Sequence, residues 1–400
     1  MTQPDPVPGA PRATADEIRR VVVVGGGPAA HRCVMEVRKL GFEGSLTMVT
    51  AESIPPYDRT LLSKDNLVGD GAIATMAPPG AYEALDISVL LGREAVALHA
   101  EERKVELADG TCLDYDRLVL AVGGAPVLPP ALAAPGVLTM RVAEDVRAVR
   151  DALERSRHLV IIGAGFIGGE IAAAATAFGC AVTLIEACDV PLRDALGVDV
   201  GGLVADLHRS KGVEVRCGVQ AERVIADGGE GYRVVLADGA ELRCDGVVVG
   251  VGMRPNTAWL RSSGIELDGA AIRTDAECRT SLPDVFAAGD CARWWSERRG
   301  TYCHVEHWDA AGKHGAAAAR AALGRPAEFD PVPFFWSDQY DVKYQWAGYA
   351  PSWDEVEISG NGPGDFTACY RVDGRLRGVF TANRPKEFGK LRRELVQSAA

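Results

Sequence analysis

Two glycine runs carry the first recognisable chemistry in this chain: Gly25-Gly26-Gly27-Pro28-Ala29-Ala30 and Gly163-Ala164-Gly165-Phe166-Ile167-Gly168. A G-x-G-x-x-G run between a strand and a helix binds a dinucleotide. Its first glycine permits the tight turn, the second lets the backbone approach a pyrophosphate, and the third packs helix on strand. The helix that follows offers unpaired N–H groups and partial positive charge to the phosphates. Ala30 replaces the third glycine in the first copy, and Pro28 suits a first helical turn because its missing N–H had no partner there. An acid follows each run, Glu52 and then Glu186, where it can accept hydrogen bonds from ribose hydroxyls. A carboxylate at 186 also repels a 2′-phosphate and so favours NADH over NADPH, although Arg193 nearby offers a phosphate a cation.

The elements that hold these runs repeat. Val21–Val24, the first glycine turn, a helical stretch and Leu46–Val49 form one strand–helix–strand unit. Leu159–Ile162, the second turn, a helix to Phe178 and Val182–Ile185 form another. Each is followed by β-rich sequence: Lys104–Leu107, Asp109-Gly110 and Leu118–Ala121 in the first half, Val213–Cys217, Tyr232–Leu236, Asp238-Gly239 and Val247–Gly250 in the second. Beyond Pro331 the texture turns aromatic and β-rich and ends in a basic helix. An α/β fold is expected, with two Rossmann-like dinucleotide-binding domains and a small α+β C-terminal domain. The 400 residues agree with this, since about 100–200 residues per domain predict two to four domains.

Composition excludes several classes. With 43 Lys and Arg against 55 Asp and Glu, the net charge of −12 argues against general nucleic-acid binding, which needs a basic face. Leu159–Ile185 is long and apolar, with Glu170 its single charge, but its glycines are spaced like a turn and a close-packed helix, so no membrane role is expected. The ten cysteines include no C-x-x-C pair and no metal-ligand spacing. Met1–Asp16 is proline-rich and polar and lacks a signal-peptide core; residues 1–17 read as a disordered tail of a cytoplasmic protein with reduced thiols. His304, His307 and His314 could share a helix face as metal ligands, but nothing completes such a set, and helix-capping or surface histidines are expected instead.

The chain resembles the FAD-dependent NADH:ferredoxin reductases of oxygenase and cytochrome monooxygenase systems. These are relatives of putidaredoxin and rubredoxin reductases that share the pyridine nucleotide-disulfide oxidoreductase fold without its redox cysteines. The marks are the first glycine turn, PPYDRTLLSK (Pro55–Lys64), AVGGAPVLP (Ala121–Pro129), IIGAGFIGGE (Ile161–Glu170) and VGVGMRPN (Val249–Asn256). VFAAGDCA (Val285–Ala292), VEHWDAAGKHG (Val305–Gly315), FFWSDQYDV (Phe334–Val342) and NRPKEF (Asn383–Phe388) continue the series. The resemblance implies a discontinuous FAD domain (18–125 and 255–330), an inserted NAD domain (126–254) and a C-terminal domain (331–400) over the flavin. FAD then belongs to the first glycine turn and NADH to the second.

It also implies individual roles. Asp290, presented by Gly289 after the strand Val285–Ala288, accepts a hydrogen bond from a ribityl hydroxyl. Arg59 and Lys64 lie near the pyrophosphate and ring, with Lys64 paired to Glu170 so that a fixed cation favours added charge on the flavin. Arg141, Val96, Ala121 and Gly252 complete the nucleotide contacts. Trp308 passes the flavin, and Trp336 stands at the partner-facing edge, where it helps electrons leave. Two departures stand out: Thr60-Leu61 replace two prolines of the family motif, and Val-Glu-His-Trp replaces Glu-Ser-Val-Gln-Asn. Both lean toward apoptosis-inducing-factor-like and nitrite-reductase-type relatives.

The expected reaction is hydride transfer from NADH to FAD, then single-electron release to a ferredoxin-type iron–sulfur protein. A disulfide reductase, or an NADH oxidase or peroxidase, needs a cysteine against the flavin, and Ile54–Lys64 holds none. Docking of an acidic ferredoxin needs a basic patch, which Arg384, Lys386, Lys390, Arg392 and Arg393 supply. The protein is expected as a monomer or homodimer.

Overall fold

The computed structural model describes residues 17–229 and 231–399; residues 1–16 of the expected tail lie outside them. The chain forms two compact units. Among the described residues, the first holds 17–58, 74–125 and 254–333, the second 59–73, 126–253 and 334–399.

The first unit is built on a parallel sheet of five strands in the order Val285–Ala287, Arg117–Leu120, Arg20–Val24, Ser45–Val49 and Ile87–Leu90. Its central strands are apolar throughout because helices or further sheet cover both faces. Val21, Val22, Val23 and Val24 are all buried. The helix Pro28–Lys39 turns Ala29, Ala30, Cys33, Val34 and Val37 inward, one stripe at helical spacing. It lies against the helix Trp308–Ala322 so closely that a Cβ on Gly315 would sit 2.0 Å from the Ala29 carbonyl oxygen. The small third position of the motif, Ala30, is fully buried here. A three-stranded meander, Ala95–His99, Lys104–Leu107 and Cys112–Asp114, completes the core with Leu98, Val105, Leu107 and Tyr115.

The second unit repeats the scheme. Its parallel sheet runs Glu214–Cys217, Ala181–Glu186, His158–Ile162, Gly246–Val249, and its meander is Ala221–Ala226, Tyr232–Leu236, Glu241–Cys244. The C-terminal segment adds a five-stranded antiparallel sheet in the order Phe334–Gln339, Val342–Gly348, Arg375–Ala382, Asp365–Val372, Glu355–Gly362. The aromatic texture has a packing cause: Tyr344, Trp346, Phe366, Tyr370 and Phe380 form one core with Leu196, Val200, Val204 and Leu207 of the helix Arg193–Ser210. Among the described residues no helix is long and apolar enough to cross a membrane.

Candidate functional site

Both glycine turns fold as dinucleotide turns must. Gly25 has φ +142°, and a Cβ there would lie 2.0 Å from the Ala121 carbonyl oxygen; Gly163 has φ +103°, with the Gly250 carbonyl oxygen 2.3 Å away. Each turn is therefore pressed against the neighbouring strand end, which brings Ala121 to the first turn and leads on to Gly252 at the second. The helices beginning at Pro28 and Phe166 have glycine at the N-cap, no side-chain cap and no acid in the first turn. Their leading N–H groups are thus left for a ligand, and no carboxylate opposes a phosphate. A Cβ on Gly165 would enter open space, the cradle that a pyrophosphate requires. Residues at both turns fit a dinucleotide.

The closing acids are held differently. Glu52 Oε2 accepts the Tyr57 hydroxyl at 2.5 Å. Glu186 reaches back to its own turn: the Ala164 N–H donates to Oε2 at 2.9 Å and the Cys188 N–H to Oε1 at 3.0 Å. A carboxylate oxygen accepts more than one hydrogen bond, so Glu186 can also receive a ribose hydroxyl. Arg193, a cation the sequence leaves open for a 2′-phosphate, forms an ion pair with Asp189 at 3.1 Å. Ile167 and Val251 stay exposed beside the second turn, and Phe166 packs edge-on against Phe335 at 4.7 Å.

The second unit also brings Lys64 to Glu170. Nζ and Oε1 are 2.8 Å apart, with side chains 10% and 3% exposed. Lys64 also donates to the Thr60 backbone carbonyl in the turn Arg59–Leu61, at 2.9 Å. Ser337 Oγ donates to Glu170 Oε1 at 2.6 Å, and Ser63 Oγ donates to Oε2. Sequence reasoning missed both serines. The signal for Ser337 was present: with Gln339 it lies on the buried face of a strand, where a polar group needs a partner. Arg59 donates to the Arg141 carbonyl at 3.2 Å, and Asp145 accepts the Arg141 and Val142 N–H groups, capping the helix Ala143–Arg155.

In the first unit Asp290 occupies the turn Gly289–Cys291 just past the strand Val285–Ala287. Val96 is exposed on the meander, and Trp308 is half-buried at the first position of its helix. The histidine expectation needs correction. Only His314 lies on the helix, and it is 1% exposed, not a surface residue; His307 occupies the N-cap without a side-chain cap bond. His304 precedes the helix and binds the Asp290 carbonyl. The cysteines nearest the first turn are inert. Cys33 and Cys291 are fully buried, and burial pushes each thiol up to about 12, leaving no thiolate to react.

Comparison with known proteins gives the family. The family described as pyridine nucleotide-disulphide oxidoreductase matches residues 19–315, and the reductase C-terminal family matches 334–400. The ferredoxin reductase subunit of the 5,5'-dehydrodivanillate O-demethylase of Sphingobium sp. is 35% identical, over 92% of this chain and 90% of its own. The ferredoxin–NAD(+) reductase component of the anthranilate 1,2-dioxygenase system of Burkholderia cepacia is 34% identical, over 94% of each. Among solved structures, the covalent putidaredoxin reductase–putidaredoxin complex superposes with a TM-score of 0.88 at 30% identity, covering 94% of this chain and 92% of that one.

Proposed function

The chain belongs to the ferredoxin reductases of the pyridine nucleotide-disulphide oxidoreductase family, and on that premise we propose that it carries electrons from NADH through FAD to a ferredoxin-type iron–sulfur protein serving an oxygenase or cytochrome monooxygenase. The observation that carries this reading is the buried Lys64–Glu170 pair, its lysine at the end of a segment, Ile54–Lys64, without cysteine. A thiol reductase needs sulfur there; an electron carrier needs only a fixed charge. FAD, when bound, accepts a hydride and releases electrons singly.

The chain's own residues supply position and charge. The first glycine turn, Glu52 and Asp290 hold FAD in a domain of residues 18–125 and 255–330. The second turn and Glu186 hold NADH in residues 126–254, and residues 331–400 receive the partner. Ten free thiols suit a reducing cytoplasm. Trp336 stacks on Phe334 at 5.8 Å, and Arg392 lies over that same ring at 4.3 Å. Arg384 is neutralised by Asp365 and Glu387. This leaves Lys386, Lys390 and Arg393, at i, i+4 and i+7 on the exposed face of the last helix, as the basic patch for an acidic ferredoxin.

Anaerobic stopped-flow reduction by NADH and NADPH, followed by transfer to a panel of ferredoxins, tests the function. Fast bleaching by NADH and transfer to a ferredoxin are expected; bleaching without transfer to any of them would count against the assignment. Charge reversal of Lys390 and Arg393 is expected to slow ferredoxin reduction about tenfold at low salt while ferricyanide reduction is unchanged. Equal slowing of both would remove the docking role. Glu186→Ala is expected to raise KM for NADH about 10- to 100-fold, the loss of hydrogen bonds to a charged acceptor, with little change for NADPH. Unchanged discrimination would show that Glu186 does not read the ribose.

A further inference from the structure

The turn that carries Asp290 is held from both sides by histidines. The Gly289 N–H donates to His314 Nδ1 at 3.2 Å, and His304 Nε2 lies 2.8 Å from the Asp290 carbonyl oxygen. A carbonyl only accepts, so His304 carries a proton on Nε2. A backbone N–H only donates, so His314 Nδ1 is bare and its proton is on Nε2. These two bonds tie the peptide groups on either side of the Gly289–Asp290 pair.

His314 is placed at a cost. Its ring stacks on Phe329 at 3.9 Å and 4°, with Trp294 edge-on at 5.6 Å, and its Nε2 finds no hydrogen-bond partner among the described residues. A leucine or phenylalanine would remove the unmet imidazole donor but would leave the Gly289 N–H without its acceptor. What the imidazole offers is the bare Nδ1. Burial holds its pKa down to about 3, so it remains an acceptor at every working pH. The turn itself leaves no slack: Gly289 has φ +78°, and a Cβ there would lie 2.9 Å from the Ala29 Cβ on the first dinucleotide helix.

We propose that His304 and His314 are positioning residues for the flavin, clamping the backbone on both sides of Asp290 so that its carboxylate is aimed at a ribityl hydroxyl of FAD. The proposal rests on the reading of Asp290 as a flavin ligand. A carboxylate on a short turn moves with its backbone, and a bond at each end removes that freedom before the ligand arrives.

The test is FAD titration of the apoprotein, followed by fluorescence quenching, with urea unfolding of each apoprotein as the folding control. His304→Leu and His304→Gln are close in size, and only glutamine keeps a donor. The leucine variant is expected to raise Kd for FAD about five- to tenfold, and the glutamine variant to restore most of it. In an Asp290→Ala background His304→Leu should have no further effect, because there is nothing left to aim. Asp290→Ala weakening FAD while His304→Leu does not would overturn the clamp and leave the Asp290 reading standing. Unchanged binding in Asp290→Ala would remove that reading and the clamp together. Additive losses in the double variant would also overturn it, since a merely structural histidine acts independently of the carboxylate.

Discussion

Gly25→Ala is expected to purify as a colourless protein. The new Cβ would meet the Ala121 carbonyl oxygen at 2.0 Å, and φ +142° is a backbone region that alanine rarely adopts. The clash and the strained dihedral together cost about 2–6 kcal/mol, and the turn can relieve it only by opening away from the strand end. Opening moves the N–H groups that would face the pyrophosphate, so Kd for FAD should rise about a hundredfold or more. The measurement is the ratio of 450 nm to 280 nm absorbance in the purified protein, with circular dichroism to show that the sheet remains. A yellow protein of normal flavin content would mean that the first turn does not hold FAD.

Lys64→Met is expected to destabilise the protein by about 3–5 kcal/mol. The substitution leaves the Glu170 carboxylate 3% exposed, with two serine hydroxyls and no cation. Two neutral donors do not replace a buried positive charge. Lys64→Met with Glu170→Gln should recover most of the loss, since no unpaired charge then remains. Urea midpoints of the three proteins decide this; a single variant as stable as the parent would show that the pair carries no such weight. The flavin midpoint potential of the double variant gives a separate reading. A fall relative to the parent is expected where the lysine charge acts on the ring, and an unchanged value would restrict Lys64 to stability.

The duplicated scaffold was legible along the chain because its signals are local. A glycine with left-handed φ, four apolar residues destined for a parallel strand and an acid one strand later each depend on near neighbours. The strands the pattern names accordingly fall within a residue or two of their observed bounds, whereas Ile87–Leu90 and the first strand of each meander, Ala95–His99 and Ala221–Ala226, were not read. Glu170 is the instructive middle case. A lone charge in an apolar run signals a partner, but periodicity cannot say which, and Lys64 came from the family motif. Ser63 and Ser337, which complete its hydrogen bonds, lie 107 and 167 positions away, so alternation could mark Ser337 as a polar residue on a buried strand face but could not name Glu170 as its partner. The histidines failed for the opposite reason. Their spacing invited a shared helix face, but the helix begins only at Trp308, so His304 and His314 approach one turn from different elements.

Residue order alone thus determined that this chain binds two dinucleotides and holds no thiol in the loop where sulfur chemistry would run. The first is written in a local strand–turn–helix pattern and the second in residue types, and both can be read without any distant contact. Tertiary structure decided which serines satisfy the buried carboxylate, which arginines are already spent on ion pairs, and which histidines grip the Asp290 turn. The serine and histidine contacts join atoms within about 3 Å from separate elements, a distance the chain acquires only by packing. The arginine pairs, though closer in sequence, depend on side-chain placements that the sequence does not state.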